Sequence, residues 1–136
     1  MRNYLFISII LIVFLVLTGC NHNSVDKIKV DSFDISLGQS LYSGDKKVEN
    51  ETVQSLVDAY NSIEYIGQTN EQINFRKAIT ITFVLNDQIS GTLVIDDKGI
   101  FHLNDSVGNY QIDPNNEIYA LAMQVYNDLK QEYSNF

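Results

Sequence analysis

The stretch AITITFVLN at residues 78–86 gives the clearest structural signal in this chain. Its isoleucines and Phe83 alternate with two threonines. Successive side chains of a β-strand point to opposite faces of a sheet, so this alternation places the apolar residues on one face. The stretch therefore predicts a strand with one face against a core and the other toward solvent.

Turns and further predicted strands follow residues 78–86 in the sequence. Residues 86–88 form a polar turn that leads into an apolar run at 89–95, and the Asp-Asp-Lys-Gly turn at 96–99 leads into 100–103. A short strand at 109–112 completes the series. Strands joined by such short turns pair with their neighbours, so the sequence predicts an antiparallel meander.

Other segments flank this meander. Residues 28–37 mix β-branched and aromatic residues with imperfect alternation and predict a strand. Residues 51–62 carry apolar side chains at helical spacing, which predicts an amphipathic helix. Asp113 and Pro114 predict the start of a second helix, which extends to about Tyr133, because proline is well tolerated at the first helical position.

The order of these elements predicts the fold class. A strand, a helix, three or four strands and a helix are typical of an α+β domain. We expect an antiparallel sheet of about four to five strands, with both amphipathic helices packed on one face. Residues 28–136 are long enough for one such domain but not for two.

The N-terminus has the organisation of an export signal. Arg2 precedes an apolar region at residues 4–17, which is followed by the sequence LTGC at residues 17–20. An apolar region of this length is shorter than the roughly 20 residues that a transmembrane helix needs. It matches the apolar part of a signal peptide instead, so residues 1–19 are predicted to be removed.

The LTGC sequence resembles the lipobox of bacterial lipoproteins, in which an aliphatic and two small residues precede a cysteine. This resemblance covers about 20 of the 136 residues. It implies cleavage between Gly19 and Cys20, a diacylglyceryl lipid on Cys20, and a place on the extracytoplasmic face of the cell membrane. Each buried methylene contributes about 0.8 kcal/mol, so two acyl chains would hold the protein there durably. No other cofactor is expected.

The predicted mature chain is acidic, and a short linker joins its folded domain to the lipid. Loss of Arg2 leaves 8 Lys or Arg against 17 Asp or Glu, a net charge of −9. Such a charge disfavours nucleic acid as a partner and favours a neutral protein or a cationic peptide.

We predict a tether at residues 20–27, of which residues 21–27 reach at most roughly 25 Å. Repulsion from an anionic membrane then favours a domain that stands off the surface.

Recognisable catalytic motifs are missing from the sequence. It has no nucleophile elbow, glycine-rich phosphate loop, dinucleotide fingerprint or paired metal-binding histidines. This pattern favours a non-enzymatic extracytoplasmic binding or interaction module. Two alternatives stay open, namely a carboxylate-dependent hydrolase and an immunity-like lipoprotein that captures cationic peptides.

Three carboxylates are weak candidates for a site. Asp96, Asp97 and Asp105 lie at strand ends, where clustered oxygens would suit calcium. The same three carboxylates would be the catalytic groups if the protein were a hydrolase. Ordinary turn chemistry is the competing interpretation. His102 is predicted on the polar face of the sheet as a surface histidine.

Tyrosines form the other candidate surface. Tyr119, Tyr126 and Tyr133 recur every seven residues on the last predicted helix. Because tyrosine is enriched in interfaces, they are candidates for contact with a partner. The competing interpretation is packing between helix and sheet, with the hydroxyl groups reaching water.

The lipid anchor can be tested directly. Metabolic labelling with a fatty acid should label the wild-type protein and fail to label Cys20→Ala, because the thiol is the attachment point. Label in the variant would contradict the assignment. So would a mature N-terminus at any residue other than Cys20.

Overall fold

The computed structural model describes residues 23–45, 47–103 and 106–135. Within these residues the strands are β1 (Asn23–Ser24), β2 (Ser32–Leu37), β3 (Ser40–Ser43), β4 (Glu64–Thr69), β5 (Ile79–Leu85), β6 (Gln88–Ile95), β7 (Ile100–Leu103) and β8 (Asn109–Ile112). The helices are α1 (Asn50–Asn61) and α2 (Ile118–Ser134). Neither described helix is long and apolar enough to span a membrane.

The described strands form one eight-stranded sheet in the order β1-β4-β8-β7-β6-β5-β2-β3. Every neighbouring pair is antiparallel. The predicted meander is its centre, β5 to β8. The β2–β3 hairpin extends the sheet on one side, and β4 with β1 extends it on the other.

The predicted number of four to five strands is wrong, because the sheet has eight, although the class is α+β. The strands that the sequence did not reveal are β1, β3 and β4, which lie at or next to the two edges of the sheet. None of them has a fully buried residue. A strand that buries so little needs no regular apolar alternation, which is the signal that a sequence offers.

The main core lies between one face of the sheet and both helices. The ring of Tyr60 in α1 meets Phe83 in β5 edge-on, with 5.1 Å between centroids. Full burial of one such large side chain contributes about 1.5–3 kcal/mol. Buried strand residues of this core include Phe33, Ile35, Ile79, Ile81, Phe83, Leu93, Ile95 and Phe101, and buried helix residues include Val53, Leu56, Val57, Tyr60, Ile118, Ala122, Val125, Tyr126 and Leu129.

The connection from β4 to β5 builds a second, smaller core. Strands β8, β7 and β6 lie between the two, so residues 70–77 must cross them. Ile73 in this crossing loop is buried with Ala78 and Ile100, and Val94 packs against them. Ile100 belongs to β7, so the loop covers part of the sheet.

The second helix begins later than predicted. Asp113 and Pro114 start a turn, in which the Asp113 carboxylate accepts the N–H of Asn115 at 2.8 Å. The Asn116 side chain then accepts the N–H of Ile118, where α2 starts. Aspartate stabilises such a turn as readily as a helix cap, so the predicted start at Pro114 was four residues early.

Substitution of Phe83 tests whether this core is packed as described. Phe83→Ala should lower the free energy of unfolding by about 3–5 kcal/mol, because it removes a fully buried ring. Thr82→Ala, on the other face of β5, should change it by at most about 1 kcal/mol. Urea denaturation of both variants measures the difference. A loss below about 1 kcal/mol for Phe83→Ala would contradict its buried position.

Candidate functional site

Asp96 is the one charged residue that is fully buried among those the structure describes. Its Oδ1 accepts the N–H groups of Lys98 and Ile100, each at 3.0 Å, and its Oδ2 accepts the N–H of Asn74 at 2.9 Å. A buried carboxylate is tolerated when such hydrogen bonds satisfy it. Asp96 therefore fixes the β6–β7 turn and ties it to the crossing loop.

Asp97, its neighbour, faces solvent and pairs with Lys77. Hydrogen bonding to Asp97 raises the pKa of the Lys77 ammonium. Asp105 lies outside the described residues. In the described part of the chain, no three His, Cys, Asp or Glu side chains are grouped to hold a metal ion.

Two of the predicted interface tyrosines contact the β2–β3 hairpin instead of facing outward together. The ring of Tyr126 is buried and lies 5.3 Å from that of Tyr42. Tyr133 is exposed, but its ring lies 5.4 Å from the same Tyr42 ring and its hydroxyl donates to the Ser43 carbonyl at 3.2 Å. Their geometry is that of helix packing on the sheet.

Tyr119, the third, lies near the ion pair between Lys77 and Asp97. Its hydroxyl donates to the carbonyl of Lys77 at 3.0 Å, and the Lys77 ammonium pairs with Asp97. Burial raises the pKa of the Tyr119 hydroxyl, Asp97 and Asp96 raise it further, and Lys77 opposes them. The hydroxyl therefore keeps its proton and remains a donor at neutral pH.

A cavity of about 330 Å³ lies beside this cluster, between the β6–β7 turn and the start of α2. Gly99 in its wall has φ 77°. A Cβ there would also lie 2.6 Å from Ile112 Cγ2, so both backbone and space require glycine. Asp97, Asp113, Asn116 and Tyr119 supply polar groups to the wall.

A larger cavity of about 540 Å³ adjoins the first, since both are lined by residues 111–114. Its other wall is β4. We call the two together the β8 groove. Its charged lining residues are Glu64, Asp97, Asp113 and Lys98. The full lining is residues 64–69, 95, 97–99, 111–114, 116 and 119–120.

His102 lies away from these carboxylates. Its Nδ1 is 2.9 Å from the Gly108 carbonyl and 3.4 Å from Ser106 Oγ. The same Ser106 oxygen also bonds to both backbone groups of Leu103. These contacts stabilise the turn between β7 and β8. Sequence reasoning missed this local role, whose only signal was a histidine followed by turn-forming residues.

The predicted cleavage and lipidation residues, Gly19 and Cys20, lie outside the described residues. The chain matches no family model, no curated protein and no solved structure. Its function must therefore be inferred from the groove, from the charge distribution and from the N-terminal motif.

Asp96→Asn tests the structural role of the buried carboxylate. The substitution turns one oxygen into an N–H donor that faces a backbone N–H, so the free energy of unfolding should fall by about 1.5–3 kcal/mol. Asp97→Asn, the matched control, loses only a surface ion pair and should change stability much less. Thermal and urea unfolding measure both variants.

Added calcium distinguishes a structural role of Asp96 in the turn from a calcium site formed with Asp97. If Asp96 serves the backbone, added calcium should leave the melting temperature of the wild-type protein unchanged. Equal losses of stability in the two variants, or a calcium-dependent rise in melting temperature that Asp96→Asn abolishes, would contradict the structural role.

Proposed function

We propose that this chain is a membrane-anchored bacterial lipoprotein that acts as a non-enzymatic extracytoplasmic binding module through the β8 groove. The adjoining cavities of about 540 and 330 Å³ are the observation that carries the proposal. Both volumes fall within the range of roughly 300–1,000 Å³ that is typical of ligand pockets.

The charge of the groove favours a cationic partner. Three carboxylates line it, from Glu64, Asp97 and Asp113, against one ammonium, from Lys98, and the Asp97 carboxylate is also paired with Lys77. The predicted mature chain carries the same excess of negative charge. Complementary charge speeds association and excludes acidic partners.

The shape of the groove favours a segment of peptide over a small compact ligand. The groove crosses the C-terminal end of β8 at Gln111 and Ile112, from β4 on one side to the first turn of α2 on the other. An extended segment with alternating basic and apolar side chains would place the former at the carboxylates and the latter against Tyr65 and Ile112. Capture of cationic peptides is thus the alternative that this surface supports.

The hydrolase alternative receives less support from the same residues. Asp96 is engaged by three backbone N–H groups and Asp97 by Lys77. A general base needs a carboxylate within reach of a substrate proton. We therefore propose binding as the role of the groove.

A charge placed in the groove tests the proposal. Ala120 is exposed in the first turn of α2 and lines the smaller cavity, so Ala120→Arg should block it without disturbing the core. Gln131→Arg makes the same change of charge on the same helix, about 16 Å away. The probe is a fluorescent peptide of alternating lysine and valine.

The full-length lipidated protein in vesicles should bind this peptide more tightly than a glutamate-valine peptide, and binding should weaken steeply with salt. Ala120→Arg should weaken binding by about tenfold, or about 1.4 kcal/mol, while Gln131→Arg leaves it nearly unchanged. Equal weakening by both variants would assign the binding to overall charge and contradict a role for the groove.

A further inference from the structure

A third cavity, of about 290 Å³, lies near the turn between β7 and β8, whereas the β8 groove lies at the other end of these strands. We call it the Ser90 cavity. It is lined by Asp26, Ile28, Tyr60, residues 90–92, Leu103 and Ser106. None of these residues lines the β8 groove, so the two are separate sites.

Ser90 is the extra residue of a β-bulge in β6. The register between β5 and β6 shifts between Phe83 and Val84, which leaves Ser90 without a residue opposite it. The Ser90 Oγ is buried and has no hydrogen-bond partner in the described part of the chain. Because a buried hydroxyl without a partner is costly and uncommon in native proteins, this oxygen calls for a partner from outside the chain.

Gly91, the next residue, leaves space in the cavity. A Cβ on Gly91 would lie 3.6 Å from the Tyr60 hydroxyl and 3.5 Å from Ile28 Cδ1, which are ordinary contact distances. Gly91 is not among the glycines with positive φ. Neither the backbone nor a close approach therefore requires glycine here, although glycine weakens the interior of a strand. Its effect is to keep open the space beside the Tyr60 hydroxyl.

Asp26 is held beside this space by the residues around it. Val25 is buried, and the Asn61 side chain bonds to both backbone groups of Ile28, at 2.8 and 3.1 Å. This part of the chain thus packs against the end of α1, although the sequence predicts a tether at residues 20–27. The Asp26 carboxylate therefore has a fixed place in the fold.

The polar groups of the cavity suit a cation. Asp26 is the one charged residue in its described lining. Burial raises the pKa of the Tyr60 hydroxyl and the nearby Asp26 charge raises it further, so this hydroxyl keeps its proton at neutral pH. A primary ammonium has three N–H donors and no acceptor. Three oxygens beside one negative charge, from Asp26, Tyr60 and Ser90, match that pattern.

We propose that the Ser90 cavity binds a primary ammonium group carried on a short alkyl chain. The ammonium donates to the oxygens of Asp26, Tyr60 and Ser90, and the alkyl chain lies against Ile28 and Leu103. Such a group belongs either to a small alkylamine or to the side chain of a lysine in a peptide. The inference does not depend on the proposed function of the β8 groove.

The test uses the full-length protein in nanodiscs of phosphatidylcholine, a lipid without net charge. Saturation-transfer NMR measures the binding of n-pentylammonium and of acetyl-lysine amide, and the tighter of the two identifies the source of the ammonium. Pentanol lacks the charge and pentyltrimethylammonium lacks the N–H donors, so each should bind at least about fivefold more weakly than n-pentylammonium. Equal binding of either control, or no binding of both amines, would overturn the proposal.

Substitutions locate the binding. Asp26→Asn removes the charge and Gly91→Ala places a methyl group beside the Tyr60 hydroxyl, so each should weaken n-pentylammonium binding at least about fivefold. Asp128→Asn makes the same change of charge at an exposed position of α2 and should leave binding unchanged. Equal weakening by the two aspartate variants would assign the binding to overall charge. Full binding by Gly91→Ala would place it outside the cavity, and either result overturns the proposal.

Ser90→Ala separates a role in binding from a role in the fold. It should weaken binding while the melting temperature stays the same or rises, because it removes a buried hydroxyl that has no partner. A lower melting temperature would show that the hydroxyl stabilises the fold itself. That result would overturn its assignment to a ligand.

Discussion

Three backbone N–H groups from two separate segments donate to the buried carboxylate of Asp96 and hold the β6–β7 turn against the crossing loop. That loop carries Lys77, whose carbonyl accepts the Tyr119 hydroxyl and whose ammonium pairs with Asp97. The smaller cavity of the β8 groove lies against this cluster. Its shape therefore depends on one carboxylate that no ligand needs to touch.

The centre of the fold could be predicted from the sequence, and its edges and its site could not. Alternation around Phe83 revealed β5 because one face of this central strand is buried in the core and the other is only partly covered. Edge strand β3 buries too little to show such a pattern. The sequence also grouped Asp96 with Asp97, since both suit a turn. The two residues differ because of the crossing loop, which comes from a distant part of the chain. This loop buries Asp96 and leaves Asp97 in solvent.

Hydrogen exchange at the amides of Asn74, Lys98 and Ile100 tests most directly whether Asp96 holds this end of the molecule together. Asn74 and Lys98 lie outside regular strands and helices, so without the carboxylate their amides should exchange quickly. We predict that all three exchange as slowly as the amides of β5, through unfolding of the whole domain. Exchange of Asn74 and Lys98 at the rate of exposed loop amides would contradict the account.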